Sequence, residues 1–396
     1  MNIGIVGAGI AGLLTARLLQ DLGHDVLVLE ARDRVGGRIH TIRCMDDATL
    51  TPDVGATRFS DSDNHTMYWL KRFNVPLAPM YPESGRLVRL SGSNRQVGRE
   101  VAFQSSHDIH RLVHQPADWD LQYKSPAATA KEFIGNGLFK PAWYRVAGGA
   151  SQLPEAVART LKPNMRLSTA VTSITQQNGS VAVHAGDGVI SFDRVVVAVP
   201  AAVYDNIEFL PQLPPAKLEH LRSVETQPSL RVFVAVRGVA WKAGNVCGWG
   251  CTDDGLEVWN LSNDTGAASV FVLYAQGIPA MPLITMSQKD RERRMLAILE
   301  AMFPGVSADV MEVRSHCWND DPWAKGAQSL NRQIASISIG EPYGGLHFAG
   351  ESTAREGWVD GTISSAYRVV GEICNTDWSG RPKAGFEDPS PIASGS

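Results

Sequence analysis

A glycine-rich turn after the first apolar segment constrains the fold of this chain more than any other feature of its sequence. The segment Asn2–Val6 is predicted as a buried strand, and it runs directly into Gly-Ala-Gly-Ile-Ala-Gly at residues 7–12. Apolar residues then recur at helical spacing over 11–22, and a second predicted strand, Asp25–Leu29, follows. This order of strand, glycine turn, helix and strand within about thirty residues predicts a βαβ unit.

The three glycines of the turn have separate predicted roles. Gly7 permits the tight turn, Gly9 lets the main chain approach a pyrophosphate, and Gly12 lets the helix pack closely on the strand. Ile10 and Ala11 begin the helix, whose free N–H groups and positive dipole end attract phosphates. A purely structural glycine turn is the alternative.

Glu30 closes the second predicted strand. A carboxylate at this point accepts hydrogen bonds from both hydroxyls of an adenosine ribose and disfavours a 2′-phosphate. The sequence therefore predicts a dinucleotide site that does not take NADP.

Composition narrows the class of protein. With 396 residues, 44% hydrophobic and 20% charged, the chain is typical of a globular protein of two interleaved domains. The net charge of −4 gives no argument for nucleic-acid binding, which usually shows as a basic domain or stripe. The longest apolar run, 195–203, contains Pro200 and is too short to cross a membrane. Because the first strand leaves no room for a leader, we expect a cytoplasmic protein.

Cysteine and histidine patterns predict neither a disulfide framework nor a metal site. The five cysteines are sparse and odd in number, and the ten histidines show no paired metal spacing.

Other predicted elements leave the nucleotide-binding signals in three separated pieces. These predicted elements are a helix over 151–161, strands over 170–175, 180–184, 194–199 and Ser229–Arg237, a helix over Gln288–Met302, and a closing strand, turn and helix over 346–373.

Five ordered motifs together resemble the flavin-containing amine oxidase family, which includes monoamine, polyamine and L-amino acid oxidases. Its opening FAD-binding motif is similar to Glu30-Ala31-Arg32 followed by Gly36-Gly37-Arg38. The later motifs are similar to Gly148-Gly149 with Leu153, residues 195–200, Trp318-Asn319-Asp320-Asp321-Pro322 with Gly326, and residues 347–351 with 357–361. In its arginine motif, Gly55-Ala56-Thr57-Arg58, the chain is closest to bacterial L-amino acid oxidases.

The resemblance implies an α/β fold. A Rossmann-like FAD-binding domain would be built from three chain segments, 1–58, 146–202 and 343–376. A second, mixed α+β substrate domain would comprise 59–145 and 203–342, and residues 379–396 would form a disordered tail. Since the closing motifs contain no cysteine, we expect FAD to be bound non-covalently.

The resemblance also implies the cofactor-binding residues. They are Gly7, Gly9, Ile10, Ala11, Gly12, Glu30, Ala31, Arg32, Gly37, Arg38, Ala56, Thr57, Arg58, Val171, Gly350, Glu351, Trp358, Val359 and Thr362. A helix beginning near Gly361 would direct its positive end toward the flavin. Glu351 would bond the ribityl or pyrophosphate portion, or alternatively cap a turn.

Four residues are the catalytic candidates that the resemblance implies. Arg58 would bind a substrate carboxylate, or alternatively pair with an acid such as Asp53 or Asp61. Trp358 would form one wall of an aromatic cage, or alternatively belong to the core. Gln328 occupies the usual tyrosine position of the opposite wall.

Arg231 is the fourth candidate. It stands where the family usually has a lysine that holds a water near flavin N5, and a solvent-facing strand arginine is the alternative.

The implied activity is amine oxidation. A hydride would pass from the amine-bearing carbon of an L-amino acid or related amine to flavin N5, the imine would hydrolyse, and O2 would reoxidise the flavin to give H2O2. A desaturase or oxidase acting on a C–C bond, an oxidase of a carboxylate-free amine, and a non-catalytic flavoprotein are the alternatives. No nucleic acid or membrane partner is expected, and a homodimer is left open.

Overall fold

The computed structural model describes residues 1–44, 49–82, 84–98, 101–102, 142–161, 164–186, 188–261, 267–330, 338–354 and 357–376. The predicted disordered tail at 379–396 lies outside the described residues.

Strands occur throughout the described ranges. In chain order they are β1 (Asn2–Val6), β2 (Asp25–Leu29), β3 (Phe59–Ser60), β4 (Leu77–Pro79), β5 (Ser84–Ser91), β6 (Asn94–Val97), β7 (Val101–Ala102), β8 (Trp143–Val146), β9 (Met165–Arg166), β10 (Val171–Gln177), β11 (Ser180–Ala185), β12 (Gly188–Phe192), β13 (Arg194–Val197), β14 (Glu208–Leu210), β15 (Ser229–Arg237), β16 (Val246–Thr252), β17 (Glu257–Asn260), β18 (Ala268–Gln276), β19 (Val310–Cys317) and β20 (Leu346–Phe348).

The α-helices within the same described ranges are α1 (Ile10–Asp21), α2 (Asn64–Arg72), α3 (Gln152–Thr160), α4 (Pro215–Ser223), α5 (Met281–Ile284), α6 (Gln288–Met302) and α7 (Trp358–Cys374). Within the described ranges, no helix is both long enough and apolar enough to span a bilayer.

A five-stranded parallel sheet confirms the predicted βαβ unit and the α/β fold. Its order is β20-β13-β1-β2-β9, and its strands come from three separated parts of the chain. Alternation along β13 divides its side chains between two cores. Val196 packs in the core that includes α1, α3 and α7, whereas Val195 and Val197 pack against β10 and β11.

Two segments assigned from sequence to the substrate side pack with the nucleotide-binding core instead. Helix α2 contributes Trp69 and Leu70 to the cluster around α1 and α7. Strand β14 pairs in parallel with β10, and Leu221 of α4 packs beside β13 and β20. The division of the chain into two domains remains a prediction.

A second large sheet has the order β19-β15-β18-β17-β16-β5-β6, with β7 added on β5. Its strand β15 and the helix α6 have the bounds that the sequence predicts. Val232 and Val234 of β15 pack in the core that includes α6, and Phe233 and Ala235 pack on the opposite side. Arg231 shares the face of Phe233, because side chains two residues apart point the same way along a strand.

Candidate functional site

A cavity of about 510 Å³ lies between the two large sheets. Its walls include residues at the carboxyl ends of β1, β2 and β13, the usual ligand position in a parallel α/β sheet. The opposite wall includes Ser229, Arg231, Tyr274 and Gln276 from β15 and β18. Among the described residues, no three His, Cys, Asp or Glu side chains are arranged to hold a metal ion.

The cavity brings together the predicted site residues from distant parts of the chain. All four catalytic candidates and every cofactor-binding candidate except Gly12 line it. Gly12 instead packs against the turn, since a Cβ there would lie 2.0 Å from the carbonyl oxygen of Gly7.

The glycine turn presents bare main chain to the cavity, as a dinucleotide requires. A Cβ added to Gly9 would meet no atom within 4 Å, so the space beside this residue is open. Gly37 approaches the same point, because its Cβ would lie 3.4 Å from Gly9 Cα. Ile10 and Ala11 begin helix α1 on this wall, and the first N–H groups of a helix have no acceptor within it. The turn therefore fits a bound pyrophosphate.

Glu30 is held in place at the end of β2. Its side chain is buried, and its two oxygens accept hydrogen bonds from the backbone N–H groups of Ala8 at 2.7 Å and Arg32 at 2.9 Å. These bonds tie the carboxylate to the glycine turn and keep it on the cavity wall. The position fits the predicted contact with a ribose.

Arg38 and Glu351 form an ion pair across the cavity wall. Arg38 Nη1 lies 3.3 Å from Glu351 Oε2 and also donates to the carbonyl oxygen of Ala327. Glu351 accepts from the backbone N–H of Ser329 at 3.0 Å and from its hydroxyl at 2.7 Å. The carboxylate thus joins the segment after β20 to residues 327–329 and orients Arg38.

Helix α7 begins at Trp358, three residues before the predicted start near Gly361. Trp358, Val359 and Thr362 of its first turns all line the cavity. The Trp358 side chain is 46% exposed, so core packing does not explain it. Its ring lies 5.9 Å from that of Trp143, and its φ of 66° is unfavourable for a bulky residue.

Arg58 pairs with an acid, but neither Asp53 nor Asp61 is the partner. Its Nη2 donates to Glu257, which is 199 residues away in the chain, and its guanidinium lies 4.7 Å from the ring centroid of Trp259. Burial, the largest single influence, would lower the pKa of Arg58, but attraction to Glu257, Tyr81 and Tyr274 and the hydrogen bond to Glu257 together raise this pKa above its ordinary value. The arginine therefore stays charged at the cavity wall.

Arg231 does not point to solvent, so that alternative is wrong. Its side chain is buried, and its Nη1 donates to the carbonyl oxygens of Asp53 at 2.7 Å and Gly55 at 2.5 Å, and to the hydroxyl of Thr57. Its guanidinium lies 4.6 Å from the ring centroid of Tyr274. Burial lowers its pKa below the ordinary value. Arg231 thus anchors the loop that leads to Arg58.

Gln328 lies on the cavity wall at the predicted tyrosine position. Its side-chain amide donates to the side-chain oxygen of Gln227, and its backbone carbonyl oxygen accepts from the Gln227 backbone N–H at 2.8 Å. A polar pair therefore stands where the resemblance leads us to expect an aromatic ring.

Sequence reasoning missed several residues around Arg58. Glu257 and Trp259 lie on the same face of β17, and Tyr274 and Gln276 share a face of β18. The available signal was in β18, where Tyr274 and Gln276 stand at alternate positions of an otherwise apolar strand.

Asp53, an alternative partner for Arg58 in the sequence, instead braces the neighbouring backbone. Its carboxylate accepts from the Thr41 hydroxyl at 2.5 Å and the Ala150 N–H at 2.8 Å. Burial raises the pKa of Asp53 to about 6, although these two hydrogen bonds oppose the shift.

Known proteins resemble this chain over nearly its whole length. A sequence profile described as flavin containing amine oxidoreductase matches residues 10–119 and 112–374. The flavin-dependent L-tryptophan oxidase of Lentzea aerocolonigenes is 25% identical over 94% of this chain and 98% of its own. The L-amino-acid oxidase of Mus musculus is 24% identical over 94% of this chain and 70% of its own.

Solved structures agree on the fold. A putrescine oxidase with bound putrescine superposes with a TM-score of 0.76 at 21% identity, covering 95% of this chain and 99% of that one. Since the profile covers most of the sequence, the predicted resemblance is confirmed. The chain belongs to the family of flavin-containing amine oxidoreductases, and it is an FAD-dependent oxidoreductase that acts on amines.

Proposed function

We propose that the protein oxidises a small-molecule amine that carries a carboxylate, an L-amino acid or a related compound, with O2 as the acceptor. One observation carries this proposal: two guanidinium groups, that of the buried Arg231 and that of Arg58, whose side chain is 13% exposed, line the cavity, whereas Glu257 and Asp53 lie behind the lining. A guanidinium binds a carboxylate through two parallel hydrogen bonds, which would orient the α-carbon of an amino acid.

The cofactor site proposed from sequence follows the facing wall of the same cavity, at the carboxyl ends of β1 and β2. FAD would be held without a covalent bond by the glycine turn, by Glu30 and Arg32, by the loop with Gly37 and Arg38, and by the first turns of α7. FAD, when bound, accepts a hydride from the carbon that bears the amine. The remaining candidate contacts are Ala31, Ala56, Thr57, Val171, Gly350 and Glu351.

Trp358 and Gln328 would orient the amine. The Trp358 ring is open to the cavity, and an aromatic face there guides a neutral amine and excludes water. Gln328 supplies a polar surface held by Gln227. Arg231 keeps the loop of residues 53–57 in place, so that Arg58 is presented at a constant position.

An amine without a carboxylate is the second candidate substrate. The ion pair between Arg58 and Glu257 favours it, because a substrate carboxylate would have to share the guanidinium with Glu257. The related proteins also differ in whether their amine carries a carboxylate, since one is an L-tryptophan oxidase and another binds putrescine.

Arg58→Met distinguishes the two candidates. We expect kcat/KM for an L-amino acid to fall by at least about tenfold, equivalent to about 1.4 kcal/mol, while kcat/KM for the corresponding decarboxylated amine changes little. Arg17→Met, which removes a surface pair with Asp21, is the matched control. The double variant Arg58→Met/Glu257→Gln avoids leaving a buried carboxylate without its partner. An equal loss for both substrates in the double variant would contradict the carboxylate role of Arg58.

A further inference from the structure

We propose that Glu257 is a positioning residue that sets the charge presented by Arg58 and thereby decides how strongly the site discriminates between amines with and without a carboxylate. This inference rests on the proposed function and assigns the specificity of the same cavity to a residue outside its lining.

Glu257 lies in a layer directly behind the cavity wall. It begins β17, where it is opposite Tyr274 of β18, and it is only 3% exposed. Tyr274 and Arg58 line the cavity, so Glu257 is separated from a substrate by a single layer of side chains. Its effect on a substrate would therefore be exerted through Arg58.

Arg58 is clamped between Glu257 and an aromatic ring. Its Nη2 donates to the Glu257 carboxylate, and the guanidinium lies over Trp259, two residues along the same strand. The side chains of the pair are 13% and 4% exposed, so water screens their attraction weakly. The contacts with Glu257 and Trp259 therefore determine both the position of the Arg58 guanidinium and the strength of its attraction for a charged ligand.

A substrate carboxylate and Glu257 compete for one guanidinium. Two carboxylates on the same guanidinium repel each other in a poorly solvated site, so Glu257 weakens the binding of an anion. The same carboxylate attracts a cationic or strongly dipolar amine. Glu257 offsets the charge of Arg58, but the hydrogen bonds of Arg231 do not offset its charge in this way, because those at Asp53, Gly55 and Thr57 all go to uncharged oxygen atoms.

Stability alone gives little reason for an acid at this position. Glu257 is embedded beside a cluster that includes Trp249, Trp259 and Val272, and a buried ion pair is often no more stable than apolar residues of similar size. A role in selecting the ligand accounts for the cost of burying the carboxylate.

Glu257→Gln in the holoenzyme is the test. Glutamine keeps the shape and an accepting oxygen but removes the charge. The probes are benzoate and benzylamine, which have similar rings and opposite charges, and their binding is followed through the flavin absorbance spectrum. We expect the Kd of benzoate to fall by at least about tenfold and that of benzylamine to rise. Glu219→Gln, at an exposed position on α4, is the control.

Kinetics with L-phenylalanine and phenethylamine provide the second measurement. We expect Glu257→Gln to lower KM for the amino acid relative to the amine, and Glu257→Asp, which keeps the charge, to restore most of the wild-type ratio. Parallel changes for both probes or both substrates would overturn the inference.

The two proposals fail in different ways. If the wild type oxidises neither amino acids nor amines, the proposed function is wrong, but probe binding still measures the effect of Glu257. If Glu257→Gln does not fold, Arg58→Met/Glu257→Gln replaces it, and we expect this variant to lose the charge preference of the wild type. Retention of that preference in the double variant would overturn the inference.

Discussion

The glycine turn predicts that substitutions at two positions only three residues apart, Gly9 and Gly12, have different consequences. Gly9→Ala is expected to leave the fold of the apoprotein intact and to weaken FAD binding. Gly12→Ala is expected to damage the fold itself. The reason is geometric: a Cβ on Gly9 enters open space, whereas a Cβ on Gly12 lies 2.0 Å from Gly7 O and 3.2 Å from Ile5 Cγ2.

The magnitudes follow from these surroundings. Gly9 is the N-cap of α1 with a φ of −69°, so alanine there meets no left-handed backbone and costs about 0.5–1 kcal/mol as a poorer cap. The added methyl group would occupy space that a pyrophosphate needs, which we expect to cost about 2–3 kcal/mol of FAD affinity, or about 30- to 150-fold in Kd. Gly12→Ala must separate helix from turn, at a cost of about 3 kcal/mol or more in the free energy of unfolding.

The assay uses the apoprotein and its titration with FAD. Calorimetry gives the melting temperature of each variant, and quenching of FAD fluorescence gives its Kd. We expect Gly9→Ala to melt within about 3 °C of the wild type and to bind FAD weakly. Wild-type FAD affinity in Gly9→Ala, or a loss of stability as large as that of Gly12→Ala, would refute this account of the turn.

Three further substitutions test the neighbouring contacts. Burial raises the pKa of Asp53 from 3.8 to about 6, so Asp53 is harder to ionise in the folded state than in the unfolded state. As pH rises from about 4 to 6, the free energy of unfolding should therefore fall by about 2–3 kcal/mol. Denaturant titrations of Asp53→Asn should show that this pH dependence is lost. Arg231→Met removes three donated hydrogen bonds and should lower the free energy of unfolding by about 2–4 kcal/mol in urea, whereas an unchanged midpoint would contradict its anchoring role. Trp358→Gly relieves a φ of 66° and should change the melting temperature little while lowering kcat/KM for amines at least about tenfold; unchanged kinetics would exclude Trp358 from the substrate wall.

Local patterns predicted the parts of the fold that depend on neighbouring residues. The βαβ unit, β15 and α6 follow from apolar periodicity and glycine chemistry, and the structure places them at or within a residue of the predicted bounds. The five motifs, taken together, also indicated that distant segments share one cofactor site.

The partner of Arg58 could not be predicted in the same way. Asp53 and Asp61 are near it in sequence, but Glu257 reaches it only because β17 lies within the second large sheet. Such a pairing depends on tertiary packing and leaves no local periodic signal. The orientation of Arg231 was accessible in principle, since alternation along β15 places it with Phe233 on a buried face.

The central claim is that this FAD-dependent enzyme oxidises an amine whose carboxylate is recognised at Arg58. Anaerobic mixing of the yellow protein with L-amino acids and with their decarboxylated amines tests it most directly, because loss of flavin absorbance reports reduction in a single turnover. We expect at least one L-amino acid to bleach the flavin faster than its matched amine does. Bleaching by amines alone, or by no member of the panel while dithionite still reduces the flavin, would contradict it.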